Sequence, residues 1–497
     1  MSSRSPLTPR NIAVGCIVLV VGLALRAYIL GSVLGSLHAD EAYSGLQSIG
    51  VIRDGRFPIV IDGNVYSAAI EAYVFSPVLT NAGGSVAVLK WLFIIIWAAA
   101  AAVAYGAATC LRDRRAGAFA AMIVWLAPGA LLVLSTRAYM GYAFGLTVAT
   151  GTIWATARVA DLAEATPRSS ALVGGLAGLA FYLHPMLTMI VAPVVAVASV
   201  VHLRDWRRWW LPAAGAAVAV NIPFLGWNLL NGLPSLDPAY TVAGTYSDRL
   251  QGFVTGLMPR ALGLRTLDGE WVFGRSFGLV LYALIVAAVV WGCVVLVRAS
   301  RRPSRWIVPV GLAAVYPLMG LLAPLAYVAD GRYAVISFPL IAIALAAAAS
   351  NAVAGWQGGR ALAGLVVAGM VWLALTTLPF LSQQHAFEAA DANAWQERVI
   401  ERLDELGVNR LAGDYGLVTQ IEYRSDRSIR TAVAGNPYVI RFPASQRIVG
   451  RAPAEEVAFL FSPGAALDPS WFYLPVEQYR QEDLGGVILY VPPAAQH

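Results

Sequence analysis

Charged side chains are scarce in this chain of 497 residues. Asp, Glu, Lys and Arg make up 13% of it, about half the roughly 25% that is usual in soluble domains, while 58% is hydrophobic. Lysine is nearly absent, since Lys90 is the only one, and the arginines lie in short scattered clusters rather than on one face. This charge pattern does not predict nucleic-acid binding.

Cysteine, histidine and nucleotide-binding motifs are equally limited. Cys16, Cys110 and Cys293 are far apart, and the five histidines show no spacing typical of metal ligands. Neither a disulfide framework nor a metal site is therefore predicted. A P-loop and a glycine-rich nucleotide fingerprint are also missing, which argues against an ATP or nucleotide-sugar substrate.

The apolar residues come in blocks near the roughly 20 residues that cross a hydrocarbon core about 30 Å thick. The sequence therefore predicts an all-α polytopic membrane protein with about eleven transmembrane helices. Their approximate bounds are 12–34, 86–111, 117–135, 140–162, 171–183, 186–203, 210–232, 275–298, 306–327, 333–350 and 361–382.

Arginine clusters between these blocks indicate the orientation. The clusters at 112–115, 204–208 and 298–305 fall on the same side as the N-terminus if the spans alternate. By the positive-inside rule that side is cytoplasmic. Because the bias towards Arg and Ala is typical of a GC-rich bacterial genome, we expect a multi-pass protein of the bacterial cytoplasmic (inner) membrane.

The chain divides into two parts. Residues 1–382 are predicted to form the transmembrane domain, with a first exoplasmic loop at 35–85. Residues 383–497 are predicted to form a small exoplasmic α/β domain, because helical apolar spacing from Trp395 to Leu406 is followed by short strand-like runs at 410–412 and 457–461.

The strongest candidate for chemistry is the segment His38-Ala39-Asp40-Glu41-Ala42-Tyr43, directly after the first span. Carboxylates at a membrane boundary are costly to desolvate, and one beside a bound substrate can serve as a general base. The alternative is an acidic helix N-terminus with Asp40 as N-cap. Glu41 could share the proton transfer or hold a first-loop helix in place.

Short motifs follow this segment on the predicted exoplasmic side. They are the Gly55–Pro58 turn, Gly63, Tyr66, Glu71-Ala72-Tyr73, Arg137 with Tyr139 and Gly141-Tyr142, His184-Pro185, Asp330-Gly331-Arg332-Tyr333, and Gly407-Val408 with Asp414-Tyr415. In order and spacing they resemble the GT-C membrane glycosyltransferases, in particular bacterial relatives of protein O-mannosyltransferases and of the lipid A aminoarabinose transferase. The resemblance implies a polyprenyl-phosphate sugar donor, Asp40 as base, and inversion at the anomeric carbon.

The leaving phosphate of such a donor needs positive charge beside it. Arg332 and Arg137 are candidates, because a guanidinium can hold phosphate oxygens through two hydrogen bonds. The alternative for each is an interfacial arginine that snorkels to the headgroups. Tyr333 and Asp330 would orient Arg332, as in the family's Arg-Tyr motif, and His184 is either a further phosphate ligand or a turn histidine.

The remaining candidates would bind substrate. Glu71 lies in an apolar run and is predicted to face a polar cavity beside Tyr66, or else the lipid headgroups. Tyr43 is either a sugar platform or an interfacial aromatic. Asp414-Tyr415 could contact the acceptor or close a strand end. Some GT-C relatives use a divalent cation beside the first-loop acid, and His38, Asp40 and Glu71 are the set that could hold one here.

The predicted function is transfer of a sugar from a polyprenyl-phosphate donor to an exoplasmic hydroxyl of a cell-envelope glycan, lipid or protein. A transporter or flippase of a lipid-linked glycan is the alternative from another class. It would need polar sites near the bilayer midplane, whereas the polar motifs of this chain lie in loops on one side. A protein O-mannosyltransferase is the alternative within the enzyme class.

Overall fold

The computed structural model describes residues 9–236, 244–266, 269–322, 332–355, 389–435 and 441–495. The predicted span at 361–382 and the motif residues Asp330 and Gly331 lie outside the described residues. In residues 9–355 the described helices are α1 (Pro9–Leu30), α2 (Ala39–Arg53), α3 (Ile70–Asn81), α4 (Val86–Leu111), α5 (Arg114–Leu126), α6 (Gly129–Leu134), α7 (Ala143–Ala160), α8 (Pro167–Leu183), α9 (Thr188–Val201), α10 (Leu211–Leu230), α11 (Tyr246–Gln251), α12 (Met258–Ala261), α13 (Arg275–Ala299), α14 (Ile307–Leu322) and α15 (Phe338–Gly355).

Within the described residues the apolar blocks fall on these helices, which confirms the predicted class of an all-α membrane protein. Among the described residues, four segments are long and apolar enough to cross a membrane, namely Ile12–Leu30, Val86–Leu111, Trp206–Leu230 and Arg275–Ala299. The block at 117–135 is two helices rather than one. The chain turns between α5 and α6 at Ala127, whose φ is +36°, and at the following Pro128.

Small residues allow the helices to pack closely. A β-carbon on Gly174 of α8 would lie 1.9 Å from the carbonyl oxygen of Ala213 in α10. A β-carbon on Gly292 of α13 would lie at the same distance from the carbonyl oxygen of Ala344 in α15. Close backbone contact of this kind is how helices associate where lipid removes the hydrophobic driving force.

Polar residues gather at the two ends of the bundle. Lys90 lies near the start of α4 and contacts the first loop, whereas Asp113, just after its end, accepts a hydrogen bond from Ser350 at 2.9 Å. With 26 residues, α4 separates these ends by about 39 Å at 1.5 Å per residue. The segments predicted to be exoplasmic thus meet at one end of the bundle.

The first-loop helix α2 begins differently from the expectation. Its N-cap is His38, whose Nδ1 accepts a hydrogen bond from Asp40 N at 3.2 Å, while Glu41 Oε2 accepts one from His38 N at 3.0 Å. Asp40 is therefore not the cap, and its carboxylate is directed to other partners. The alternative of Asp40 as an N-cap is wrong.

The C-terminal part is an α/β domain, as predicted. Its described elements are α16 (Ala389–Glu405), β1 (Arg410–Gly413), α17 (Tyr415–Arg424), β2 (Arg430–Val433), α18 (Pro443–Gly450), β3 (Ala458–Phe461), β4 (Arg480–Asp483) and β5 (Ile488–Val491). The strand order is β2-β1-β3-β5-β4, with β1 parallel to β2 and β3, and β5 antiparallel to β3 and β4. Leu411, Leu460 and Leu489 form part of its buried core.

The C-terminal domain rests on the first loop through α17. A β-carbon on Gly45 would lie only 2.4 Å from a ring atom of Tyr423, so α17 and α2 approach as closely as a glycine permits. Ion pairs of Arg53 with Asp426 and of Arg427 with Asp54 flank this contact. The start of α17 is thereby held over the start of α2.

Candidate active site

Asp40 is the meeting point of three parts of the chain. Its Oδ2 accepts a hydrogen bond from Arg332 Nη1 at 3.1 Å, and its Oδ1 accepts one from the hydroxyl of Tyr415 at 2.9 Å. The carboxylate is one-third exposed (33%). The predicted base and a predicted phosphate ligand are thus in direct contact, and the C-terminal domain adds a third group.

Aromatic rings surround the guanidinium of Arg332. Its Cζ lies 5.5 Å from the ring centroids of Tyr139 and Tyr333. Tyr142 packs edge-on against Tyr333, with centroids 6.0 Å apart. Such rings attract a cation, so Tyr139 and Tyr333 both contribute to the surroundings of the guanidinium.

His184 and Tyr66 extend this aromatic group. Their rings are 5.4 Å apart in an edge-on arrangement, and Tyr142 lies 5.9 Å from His184. His184 Nδ1 accepts a hydrogen bond from Met186 N at 3.2 Å, so the proton of the neutral ring is on Nε2. Burial, and then the charge of Arg332, lower the pKa of His184 to about 4, and the ring is neutral at neutral pH. It can donate a hydrogen bond but brings no charge.

Glu41, next to Asp40 in sequence, has different surroundings. Its carboxylate is fully buried and accepts hydrogen bonds from Lys90 Nζ at 2.7 and 2.8 Å, from Arg137 Nη1 at 2.9 Å, and from Ala138 N at 2.9 Å. Burial alone would raise its pKa, but the charges of Lys90 and Arg137 hold the pKa down to about 2. These contacts favour the structural alternative for Glu41, in which it holds α2 against α4 and the turn after α6.

Lys90 was not predicted as a site residue. Its ammonium lies in an apolar helix and is almost completely buried against Glu41. The available signal was that the only lysine of the chain sits within a predicted span, where a charge needs a partner.

Arg137 is hydrogen-bonded to other residues of the protein. Its Nη1 donates to the carbonyl oxygen of Ser36 at 2.7 Å as well as to Glu41. The two predicted phosphate ligands therefore differ, because Arg332 contacts the partly exposed Asp40 and Arg137 contacts a buried carboxylate.

Glu71 joins the first loop to the turn before α7. Its Oε2 accepts a hydrogen bond from the backbone N–H of Gly141 at 2.5 Å, and the backbone of Phe144 also faces the carboxyl group. Burial raises the pKa of Glu71 to about 8, so the carboxyl is mainly protonated at neutral pH. It is not at the lipid headgroups, and it acts at this turn rather than at Asp40.

Tyr43 lies where the first loop meets the C-terminal domain. Its hydroxyl donates to the carbonyl oxygen of Asp62, and its ring packs 5.2 Å from that of Phe442. Arg441 Cζ lies 5.8 Å above the same ring. Because Tyr43 is 7% exposed, it is not an interfacial aromatic in contact with lipid.

The residues that could have held a divalent cation do not form a metal site. In the part of the chain that the structure describes, no group of three His, Cys, Asp or Glu side chains is placed to bind a metal. Asp40 pairs with Arg332, and Glu71 is turned to a backbone turn. A cation beside Asp40 would have to compete with the guanidinium already there.

Comparison with known proteins finds similarity in structure. No protein-family model and no curated protein matches the chain. A crystal structure of ArnT from Cupriavidus metallidurans in the apo state aligns with 98% of this chain and 99% of its own, with a TM-score of 0.66 and 12% identity. The Archaeoglobus fulgidus oligosaccharyltransferase, crystallised in complex with Zn and sulfate, aligns with 90% of this chain and 68% of its own, with a TM-score of 0.52 and 13% identity.

These alignments define the class of fold. The chain has the fold of these two solved proteins, in agreement with the fold class predicted from the sequence. The structural similarity to ArnT extends over nearly the whole of both chains, and it therefore includes the C-terminal domain.

Proposed function

We propose that this protein is a glycosyltransferase that moves a sugar from a polyprenyl monophosphate carrier to a hydroxyl on the exoplasmic side of the membrane. The observation that carries the proposal is the pair of Asp40 and Arg332, 3.1 Å apart and partly exposed within a group of tyrosines. Two solved GT-C structures add support, because ArnT has been crystallised with undecaprenyl phosphate and the archaeal oligosaccharyltransferase solved with a dolichol-phosphate.

The pair fits the two demands of the reaction. The acceptor oxygen bonds to the anomeric carbon, the bond from that carbon to the phosphate oxygen breaks, and the acceptor proton passes to Asp40. The released phosphate takes the electron pair of the broken bond, and its growing negative charge is stabilised by Arg332. Attack from the face opposite the phosphate inverts the anomeric centre.

Donor binding would also prepare the base. Arg332 is hydrogen-bonded to Asp40. A phosphate binds a guanidinium through two oxygens, so the donor phosphate would compete with Asp40 for the nitrogens of Arg332. As Arg332 turns to the phosphate, the carboxylate of Asp40 loses a positively charged partner and becomes a stronger base. The rings of Tyr139 and Tyr333 keep the guanidinium close throughout.

We propose that the acceptor is a cell-envelope glycan or glycolipid. We also propose that the protein lies in the bacterial inner membrane, with its active site on the exoplasmic side. Alignment over nearly all of ArnT, but only 68% of the oligosaccharyltransferase, supports this choice over a protein acceptor.

The test is Asp40→Asn in purified protein. A panel of polyprenyl monophosphate hexoses and pentoses is supplied with a lipid extract of the source organism's envelope, and released polyprenyl phosphate is measured. We expect wild type to turn over at least one donor and Asp40→Asn to lose about 10²- to 10⁴-fold in rate, since the amide cannot accept the proton. Asp404→Asn, on an exposed face of α16, is the matched control.

Two results would overturn the proposal. One is release from no donor of the panel by well-folded wild type. The other is near-normal turnover in Asp40→Asn, which would remove the base.

A further inference from the structure

The hydroxyl of Tyr415 is hydrogen-bonded to Asp40, the proposed base. Asp40 Oδ2 is bonded to Arg332, and Oδ1 accepts the hydroxyl of Tyr415 at 2.9 Å. A general base must come within about 2.6–3.2 Å of the hydroxyl whose proton it takes. Oδ1 faces the C-terminal domain and already carries a hydroxyl at the required distance, so it is the oxygen that an acceptor hydroxyl arriving from that domain would meet.

Tyr415 itself is a poor nucleophile at this position. Burial, followed by the charge of the neighbouring Asp40, raises the pKa of Tyr415 well above its usual range, so the phenol keeps its proton. Arg441, from the same domain, is a second neighbour of this hydroxyl. The result is a neutral O–H group that donates to the base, as a sugar or lipid hydroxyl would, without reacting.

We propose that Tyr415 holds the place of the acceptor hydroxyl on Asp40, and that the acceptor binds between α2 and the C-terminal domain by displacing it. The inference rests on the proposed function. It assigns the acceptor side of the site to the C-terminal domain, whose α17 begins at Tyr415 and is fixed on α2 by Tyr423. Because Tyr415 is the first residue of α17, its side chain can turn away while the rest of the helix stays docked.

The ligand class follows from this contact. The acceptor presents a neutral hydroxyl to Oδ1, and its remaining part lies beside the first turn of α17, near Arg441. In its absence water is the smallest hydroxyl acceptor. Its oxygen would bond to the anomeric carbon, its proton would pass to Asp40, and the phosphate would leave as in transfer.

The experiment compares Tyr415→Phe with wild type and Tyr423→Phe. Tyr423 is the matched control, because it lies two turns further along α17 and its buried hydroxyl makes no hydrogen bond within the described residues. Two rates of polyprenyl-phosphate release are measured with a donor that wild type uses. One is without acceptor, and the other is with the envelope lipid extract titrated by mass.

We expect Tyr415→Phe to release the phosphate several-fold faster without acceptor, because a water can take the place of the lost oxygen beside Asp40. With the extract, its apparent KM for acceptor should fall about tenfold, because the acceptor no longer has to displace the hydrogen bond from Tyr415 to the charged Asp40. The kcat and the KM for donor should stay within about twofold. Tyr423→Phe should match wild type.

A lower kcat with an unchanged KM for acceptor would overturn the inference, since Tyr415 would then only orient Asp40. Unchanged rates in both assays would overturn it as well. Either result in an active wild type leaves the proposed glycosyltransferase standing, whereas an inactive wild type refutes the proposed function itself. A monodisperse elution profile for each variant confirms that the fold is kept.

Discussion

Replacement of Glu71 by Gln should stabilise the protein at neutral pH. The carboxyl is completely buried, and burial raises its pKa from 4.5 to about 8. Because the folded pKa of this acid is raised, the native state binds more protons than the unfolded state between pH 4.5 and about 8. The free energy of unfolding therefore falls as the pH rises through this window and levels off above it.

The magnitude follows from the same shift. At pH 7 an unfolded chain has ionised Glu71, and keeping the group protonated over about 2.5 pH units costs about 3 kcal/mol at 1.36 kcal/mol per unit. Gln has nearly the same shape and its carbonyl oxygen can accept the hydrogen bonds of Gly141 and Phe144, but it never ionises. Glu71→Gln should exceed wild type by about 3 kcal/mol at pH 7 and equal it near pH 4.

The assay is unfolding in detergent micelles, followed by circular dichroism from pH 4 to pH 8.5. Glu401→Gln, at an exposed position of α16, controls for the loss of a carboxylate as such. The gap between Glu71→Gln and wild type should widen with pH and become constant above about pH 8. Parallel pH profiles would refute the reasoning, because they would mean that Glu71 is ionised in the folded protein.

Three further outcomes are expected. Arg332→Lys should lower kcat and raise the KM for donor in steady-state kinetics, because a lysine lacks the planar fork, whereas Arg137→Lys should mainly lower stability; the opposite pattern would exchange their roles. Lys90→Met should lower the free energy of unfolding by about 3–5 kcal/mol, because it leaves Glu41 with fewer partners. Adding Glu41→Gln should recover part of this lost stability in a double-mutant cycle, whereas simple additivity of the two changes would contradict the pairing. A reporter in the C-terminal domain should be active outside the cytoplasm and one at Arg302 inside, and the reverse would move the site to the cytoplasmic face.

The class of protein, and the loops in which to look for a site, can be predicted from the amino-acid sequence alone. Scarce charge and long apolar blocks predict a helical membrane bundle, because each span must satisfy its own backbone hydrogen bonds in lipid. The loop motifs predicted a GT-C type fold, and among the described motif residues Asp40, Arg332 and Tyr415 are in direct contact. In the tail, β1 and β3 were found because their residues are apolar, whereas the largely exposed β4 offers no such pattern.

The contacts of each charged residue, in contrast, depend on how distant parts of the chain pack together. Asp40 and Glu41 are adjacent, yet a helix with 3.6 residues per turn points neighbouring side chains about 100° apart. Glu41 thus faces Lys90 in α4, 49 positions away, and Asp40 faces Tyr415, 375 positions away. Which residue is buried as a structural anion and which stays at the site depends on how α4 and α17 pack on α2, and no local pattern encodes that packing.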